Sequence, residues 1–203
     1  RWKFSFYKFE KKFVLRHPQR RINHEKFMSH KILLYCCCLL SFVLGAQESM
    51  TVNSKSYPAT PTWNFICENY AYSGLTQIQI AQTEKGGLLK ITVETTDTSF
   101  AIAGNIYVDL VDVSAIVCTD KNLREIYGNK IISYYSLTAA EMNRLKKTEI
   151  QSVRFAIKGK RNKFSSQTGY FTAINRKKYF ATMHDLTIKS YETVAAIAFL
   201  NPK

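Results

Sequence analysis

Acidic side chains are scarce in this 203-residue chain, where 15 Asp plus Glu stand against 29 Lys plus Arg for a formal net charge of +14. Four Pro and eight Gly are too few for collagen, and five Cys are too few for a disulfide-dense miniprotein. There is one long apolar run, Ile32 to Leu44, which excludes a multispan membrane protein. What is present is a 46% hydrophobic and 13% aromatic composition, enough to build a core and to exclude a disordered tail.

The charge is unevenly placed. Arg1 to Lys31 holds ten Lys or Arg and two Glu, a net +8, so Ile32 to Lys203 carries the remaining 19 minus 13, or +6. The apolar run between them has thirteen residues. That is short of the roughly 20 needed to span a bilayer but suits the hydrophobic region of a secretory signal peptide. Lys31 and the basic prefix supply the positive flank, and Gly45-Ala46-Gln47 supplies small residues where a signal peptidase cuts. The expected signal peptide is therefore 28–46, cleaved after Ala46. Met28-Ser29-His30-Lys31 makes an ordinary start for it, so Arg1 to Phe27 is expected to be upstream sequence that the mature protein lacks. The alternative is a basic amphipathic arm for nucleic acid or anionic lipid, built from Lys3, Lys8, Lys11, Lys12, Arg16, Arg20 and Arg21 among aromatics.

Cleavage also removes most of the reactive side chains, leaving His184, Cys67 and Cys118. A zinc site of the usual Cys and His composition needs three or four ligands, so no metal is expected, and no cofactor. Phosphate-loop and dinucleotide fingerprints are missing, and Gly86-Gly87 and Gly104 stand as turn or bulge glycines. In an oxidising compartment Cys67 and Cys118 could pair, closing a loop of about 50 residues worth on the order of 4 kcal/mol. Two buried, unbridged thiols are the other possibility.

From Gln47 to about Thr62 the chain reads as a polar linker, and from Trp63 to the end as one domain of about 140 residues. Ile78 and Ile80, a turn at Glu84 to Gly87, then Leu89, Ile91 and Val93 predict a β-hairpin with one wet face. Phe100, Ile102, Gly104, Ile106, Val108 and Leu110 fall on one face of a single long strand bent at Gly104. Ser114 to Thr119 predicts another strand, and Arg124 to Tyr127 with Lys130 to Leu137 a hairpin across Gly128-Asn129. Thr138-Ala-Ala-Glu141 is a capping box opening a helix of about ten residues. Ile150 to Ile157, Tyr170 to Ile174 and a short strand from Tyr179-Phe180 follow. A last helix over Ser190 to Leu200 places Tyr191, Val194, Ala195 and Ala198 on its packed face. The expected fold class is α+β, mainly antiparallel β-sheet or sandwich with a short central helix and a C-terminal helix.

Leu44-Gly45-Ala46-Gln47, Thr83 to Lys90 and Ser165-Ser-Gln-Thr-Gly169 resemble small exported β-rich proteins of Bacteroidota that carry no assigned activity. The resemblance implies an envelope location, whether periplasmic, outer-surface or secreted, and implies no catalytic residue.

Charge within the domain is polarised. Arg144 to Lys178 contains eleven Lys or Arg and one acid, +10, whereas Glu48 to Asn143 contains six bases and ten acids, −4. The candidate anion-binding residues are Lys158, Lys160, Arg161, Lys163, Arg176, Lys177 and Lys178, interleaved with aromatics suited to stacking on sugars. The alternative is a set of solvated loops, with the two clusters roughly 15 to 20 Å apart at opposite ends of a strand. His184-Asp185 reads as a turn or cap pair, and Asp109 with Asp112 as edge and turn residues, because strand positions three apart point to opposite faces. The expected function is an exported, non-catalytic binding or structural module contacting anionic polysaccharide, lipopolysaccharide or an envelope protein. Nucleic acid is not an expected partner, and membrane contact is expected only through the leader before cleavage. A secreted hydrolase of envelope or extracellular polymers and a subunit of an envelope complex are the alternatives.

Overall fold

A computed structural model of the chain describes residues 48–67, 74–159, 165–178 and 189–200. Cα packing divides the chain into Arg1–Ala46 and Gln47–Lys203, and every described residue belongs to the second unit. The leader, Lys160, Arg161, Lys163, the strand expected at Tyr179-Phe180 and His184-Asp185 all lie outside the described residues. Among the described residues, no helix is long and apolar enough to cross a membrane.

The described residues form a predominantly antiparallel β-structure with two short helices. In chain order the strands are β1 Glu48–Val52, β2 Lys55–Ala59, β3 Trp63–Cys67, β4 Leu75–Thr83, β5 Gly86–Glu94, β6 Ala101–Ile102, β7 Ile106–Leu110, β8 Ala115–Cys118, β9 Asp120–Tyr127 and β10 Lys130–Thr138. Helix α1, Ala139–Leu145, then leads to β11 Ile150–Lys158, β12 Gly169–Ile174 and helix α2, Thr193–Ala198. Strands hydrogen-bond in the order β8-β7-β11-β12-β3-β4-β5-β10-β9. Because β8 and β9 are separated in the chain by Thr119 alone, the two ends of this path are tied together, and the sheet curls into a nearly closed barrel.

Side chains bridge the remaining seam. Arg124 Nε donates to Ile102 O at 2.8 Å, Ser133 Oγ donates to the same carbonyl at 3.4 Å, and the Tyr135 hydroxyl donates to Gly104 O at 3.3 Å. Asp120 accepts from Gly104 N at 2.9 Å and pairs with the Arg124 guanidinium. These carbonyls and amides flank the bend at Gly104, so the seam compensates the break in the ladder. The bend itself is as expected: β6 and β7 both pair with β11, Ile102 opposite Ile157 and Val108 opposite Val153, with no hairpin between them.

The barrel interior is filled by inward-facing residues of β3 to β8 and β10 to β12, among them Phe65, Ile78, Ile80, Leu89, Ile91, Ile102, Leu110, Val153 and Tyr135, all at 0% exposure. A second cluster covers the outer face: Met50, Val52 and Ala59 pack on Ala81, Ile132 and Tyr134. This corrects the reading of 47–62 as a polar linker. Residues 48–59 are a β-hairpin, β1 on β2, turning at Asn53-Ser54 with φ of 49° and 63°, and joined to β4 by the Ala59–Ala81 pair. Two consecutive left-handed residues make a type I′ turn. An Asn-Ser pair signals it weakly beside Asn-Gly, and three buried apolar side chains with the half-buried Tyr57 suffice for a hairpin that lies on an existing sheet. The expected wet face of β4 and β5 is covered only in part: Gln79 and Thr92 are 6% and 5% exposed, while Gln77, Lys90 and Glu94 stay half-exposed.

Both helices are shorter than expected. The capping box of α1 is formed, with Thr138 N donating to Glu141 Oε2 at 2.7 Å and Glu141 N to Thr138 Oγ1 at 3.2 Å, but the helix ends after seven residues. Tyr191 packs on the core as expected, but within α2 the buried side chains are Thr193 and Ile197, followed by Leu200, while Ala195 and Ala198 are exposed. The Glu149 carboxylate sets this rotation by accepting from Thr193 N (2.6 Å), Thr193 Oγ1 and Val194 N (3.1 Å).

The sequence left two readings for the cysteines. Cys67 on β3 and Cys118 on β8 are buried thiols not joined by a disulfide. In the path of hydrogen-bonded strands, β7, β11 and β12 separate the two. Reductant is therefore expected to leave the melting temperature unchanged, and both thiols are expected to alkylate in denaturant without prior reduction, as read by peptide mass mapping. A Tm that falls by several degrees on reduction would contradict this.

Candidate functional site

Strand β11 runs antiparallel to β12, and this decides where each candidate cation sits. Ser152 faces Ile174 at one end of the hairpin and Ile157 faces Gly169 at the other. Arg176, Lys177 and Lys178 follow β12 at the first end, while Lys158 closes β11 at the second, about 26 Å along the strand from Ile150 at roughly 3.3 Å per residue. The sequence-predicted set is thus split. The end that holds Arg176 to Lys178 instead receives Arg144, Lys146 and Lys147, which lead from α1 into β11, and Lys189.

A buried amide assembles this end. Asn175, 7% exposed, donates through Nδ2 to Ile150 O (2.8 Å) and Tyr191 O (3.0 Å), and its Oδ1 accepts from Tyr191 N (2.8 Å). Its own amide donates to Gln151 O at 2.9 Å, and Lys177 N donates to Lys189 O at 2.8 Å. Three chain segments carrying cations are thereby held side by side. The ammonium of Lys177 stands 5.1 Å from the centroid of the Tyr191 ring, which itself stacks on Phe65 at 6.1 Å. Of the two acids here, Glu149 is committed to the α2 amides, and Glu192, which precedes α2, is exposed.

The neighbouring carboxylates are occupied as well. Asp109 takes a bidentate bond from Arg154 (2.8 and 2.7 Å) and one from Ser152 Oγ (2.9 Å). Partial burial alone would raise its pKa, but these hydrogen bonds and the guanidinium charge outweigh that and hold it below the ordinary carboxylate range. The Arg154 guanidinium lies 5.0 Å from the centroid of the Tyr107 ring. Asp112, at the β7–β8 turn, accepts from the Ser114 hydroxyl and amide, which lower its pKa, and Ser114 Oγ accepts from Arg144 Nη2 at 2.7 Å. A cleft of about 370 Å³ between these groups is lined by Asp109, Val113, Ser114, Ser152, Thr172 and Arg176. Elsewhere a wider groove of about 600 Å³ runs beside Lys55, Tyr57, Lys85, Val117, Lys121 and Glu141. Among the described residues no group of three His, Cys, Asp or Glu is placed to hold a metal.

Sequence reasoning missed Asn175 as the organiser. The available signal was an Asn at a strand end directly before three cations. Compared with known protein families, curated proteins and solved structures, the chain matches none.

Proposed function

We propose that the chain is an exported, non-catalytic binding module that holds anionic envelope polymers, such as lipopolysaccharide or an acidic polysaccharide, through the basic end of the β11–β12 hairpin. The observation that carries this reading is the gathering of Arg144, Lys146, Lys147, Arg176, Lys177, Lys178 and Lys189 on three segments pinned by Asn175. Seven cations in one region attract polyanions over several ångströms, and water-exposed lysines release counterions on contact. The carboxylates Asp109 and Asp112 are spent on an ion pair and a turn, which favours binding over general acid–base hydrolysis.

Retention on heparin tests it. The chain is expected to elute at elevated salt, and Lys147, Lys177 and Lys178 changed together to Ala are expected to weaken binding roughly a hundredfold, at about 1 kcal/mol for each lysine near an anionic surface. Lys158, Lys160, Arg161 and Lys163 changed to Ala, a cluster that begins at the opposite end of β11 from the proposed site, are expected to have the smaller effect. An unchanged elution position for the first variant, or a larger loss in the second, would sink the proposed site.

A further inference from the structure

Beside the basic end, the β7–β8 turn carries the most exposed large apolar side chain among the described residues. Val111 is 61% exposed and Val113 96% exposed. Leu110 N donates to Ser114 O and Val113 N to Leu110 O, so Val111, Asp112 and Val113 are a three-residue hairpin loop. Val113 occupies its left-handed position, with φ of 65°. Such loops take Gly or Asn there. A β-branched residue at positive φ is a steric outlier, and at 96% exposure Val113 gains little packing in return. Strain retained without a packing benefit points to use of the side chain outside the fold.

The surroundings say which use. Arg144 donates to Ser114, which closes this loop, Arg176 lines the same cleft as Val113, and Val111 N donates to Glu149 O two residues from Lys147. Asp112 is the one acid of the loop, and its carboxylate is turned onto the Ser114 amide and hydroxyl beside Arg144. An apolar tip with a collar of cations matches the layering of an anionic lipid surface, phosphates outside and acyl chains beneath. We propose that the β7–β8 loop inserts Val111 and Val113 into an anionic lipid headgroup layer while the cations of the basic end contact its phosphates. This rests on the polyanion-binding reading and names lipid as the source of the anion. It also gives the folded domain a membrane contact that the sequence assigned only to the leader.

The test uses the full chain with ¹³C-labelled valine methyls and bicelles of phosphatidylcholine with one-quarter phosphatidylglycerol, doped with an acyl-chain spin label. The Val111 and Val113 methyls are expected to broaden well before Val117, an exposed valine on β8 that lines the wider groove. Because the readout is site-resolved, binding of the apolar leader to the same bicelles does not mimic it. Equal broadening at Val117, or none at Val111 and Val113, overturns the proposal. In Val113→Asn the melting temperature is expected to rise by about 2–4 °C as the strain is relieved, while the amide side chain introduced there shows no protection from aqueous relaxation agents on bicelles. A fall in Tm would mean that Val113 serves the fold instead, and would also overturn the proposal. If the three-lysine variant loses heparin retention but the valines stay sharp, polymer binding stands and insertion fails. If heparin retention is unchanged while the valines broaden, the polymer reading fails and the lipid contact stands.

Discussion

Gly86→Ala is expected to destabilise the domain by about 4 kcal/mol, combining strained backbone with overpacking at about 1–3 kcal/mol each. Gly86 opens β5 with φ of 150°, and a Cβ there would lie 2.1 Å from Leu137 O, 2.9 Å from Thr138 C and 3.1 Å from Ala139 N. All three are backbone atoms of the β10–α1 junction, so no side chain can swing aside. The junction cannot retreat either, because Gly86 pairs with Thr138 across the ladder and Thr138 is the cap of α1. With typical domains stable by about 5–15 kcal/mol, a loss of this size removes a large fraction of the total. The urea midpoint read by far-UV circular dichroism should fall sharply. Gly87→Ala is expected to cost less, since its closest clash, Met142 Sδ at 2.3 Å, is the end of a flexible side chain, although Ala81 O at 2.9 Å remains. Gly128→Asn is the control, with φ of 58°, open space around it and a change expected within about 0.5 kcal/mol. A parental midpoint in Gly86→Ala would refute the close approach of β5 to the α1 cap.

Local signals wrote much of this fold into the sequence. The β4–β5 hairpin follows from period-two alternation around turn residues, the β9–β10 hairpin from its Gly128-Asn129 turn, and the α1 cap from Thr138 and Glu141. The unbroken apolar face from Phe100 to Leu110 is why β6 and β7 run along one strand instead of folding on each other. What was hidden depends on contacts far apart in the chain. Residues 48–59 become a hairpin because Ala81, Ile132 and Tyr134 offer it an apolar outer face. The face of α2 is chosen by Glu149, 44 residues before Thr193. The basic surface was half legible: charge counting found the region and the intervening strand already set the Lys158 and Arg176 clusters at opposite ends, but only the antiparallel pairing of β11 and β12 shows which of those ends Arg144, Lys146 and Lys147 share.

Raising the pH above about 9 is expected to destabilise the domain more steeply than lowering it below about 5. Burial pushes the Cys118 thiol from its ordinary 9.0 up to about 12, with the Glu141 charge adding to the shift. Burial foremost also raises Tyr135, aided by Asp120, and Tyr134, whose hydroxyl donates to Glu125 at 2.9 Å. A folded pKa above the unfolded one means that the folded chain keeps a proton the unfolded chain has lost. The stabilisation is therefore whole below the unfolded pKa and drains as pH rises toward the folded value. For Cys118 that window runs from about 9 to about 12, and a gap of roughly three units corresponds to about 4 kcal/mol at its upper end. The tyrosines steepen the fall beyond about 10, their unfolded value. Asp109 acts with the opposite sign: its lowered pKa contributes stability above its ordinary 3.8 that is lost as pH falls through the folded value. Its guanidinium partner is half exposed, so the acid limb should be shallow. Urea midpoints at about pH 7, 9 and 10.5 should be level between the first two and drop at the third. Cys118→Ala should begin from a lower midpoint, because a buried side chain is truncated, yet lose less between about pH 9 and 10.5. If its fall over that interval matched the parent's, the alkaline loss would belong to the tyrosines alone, and Cys118 would not hold its proton through the transition.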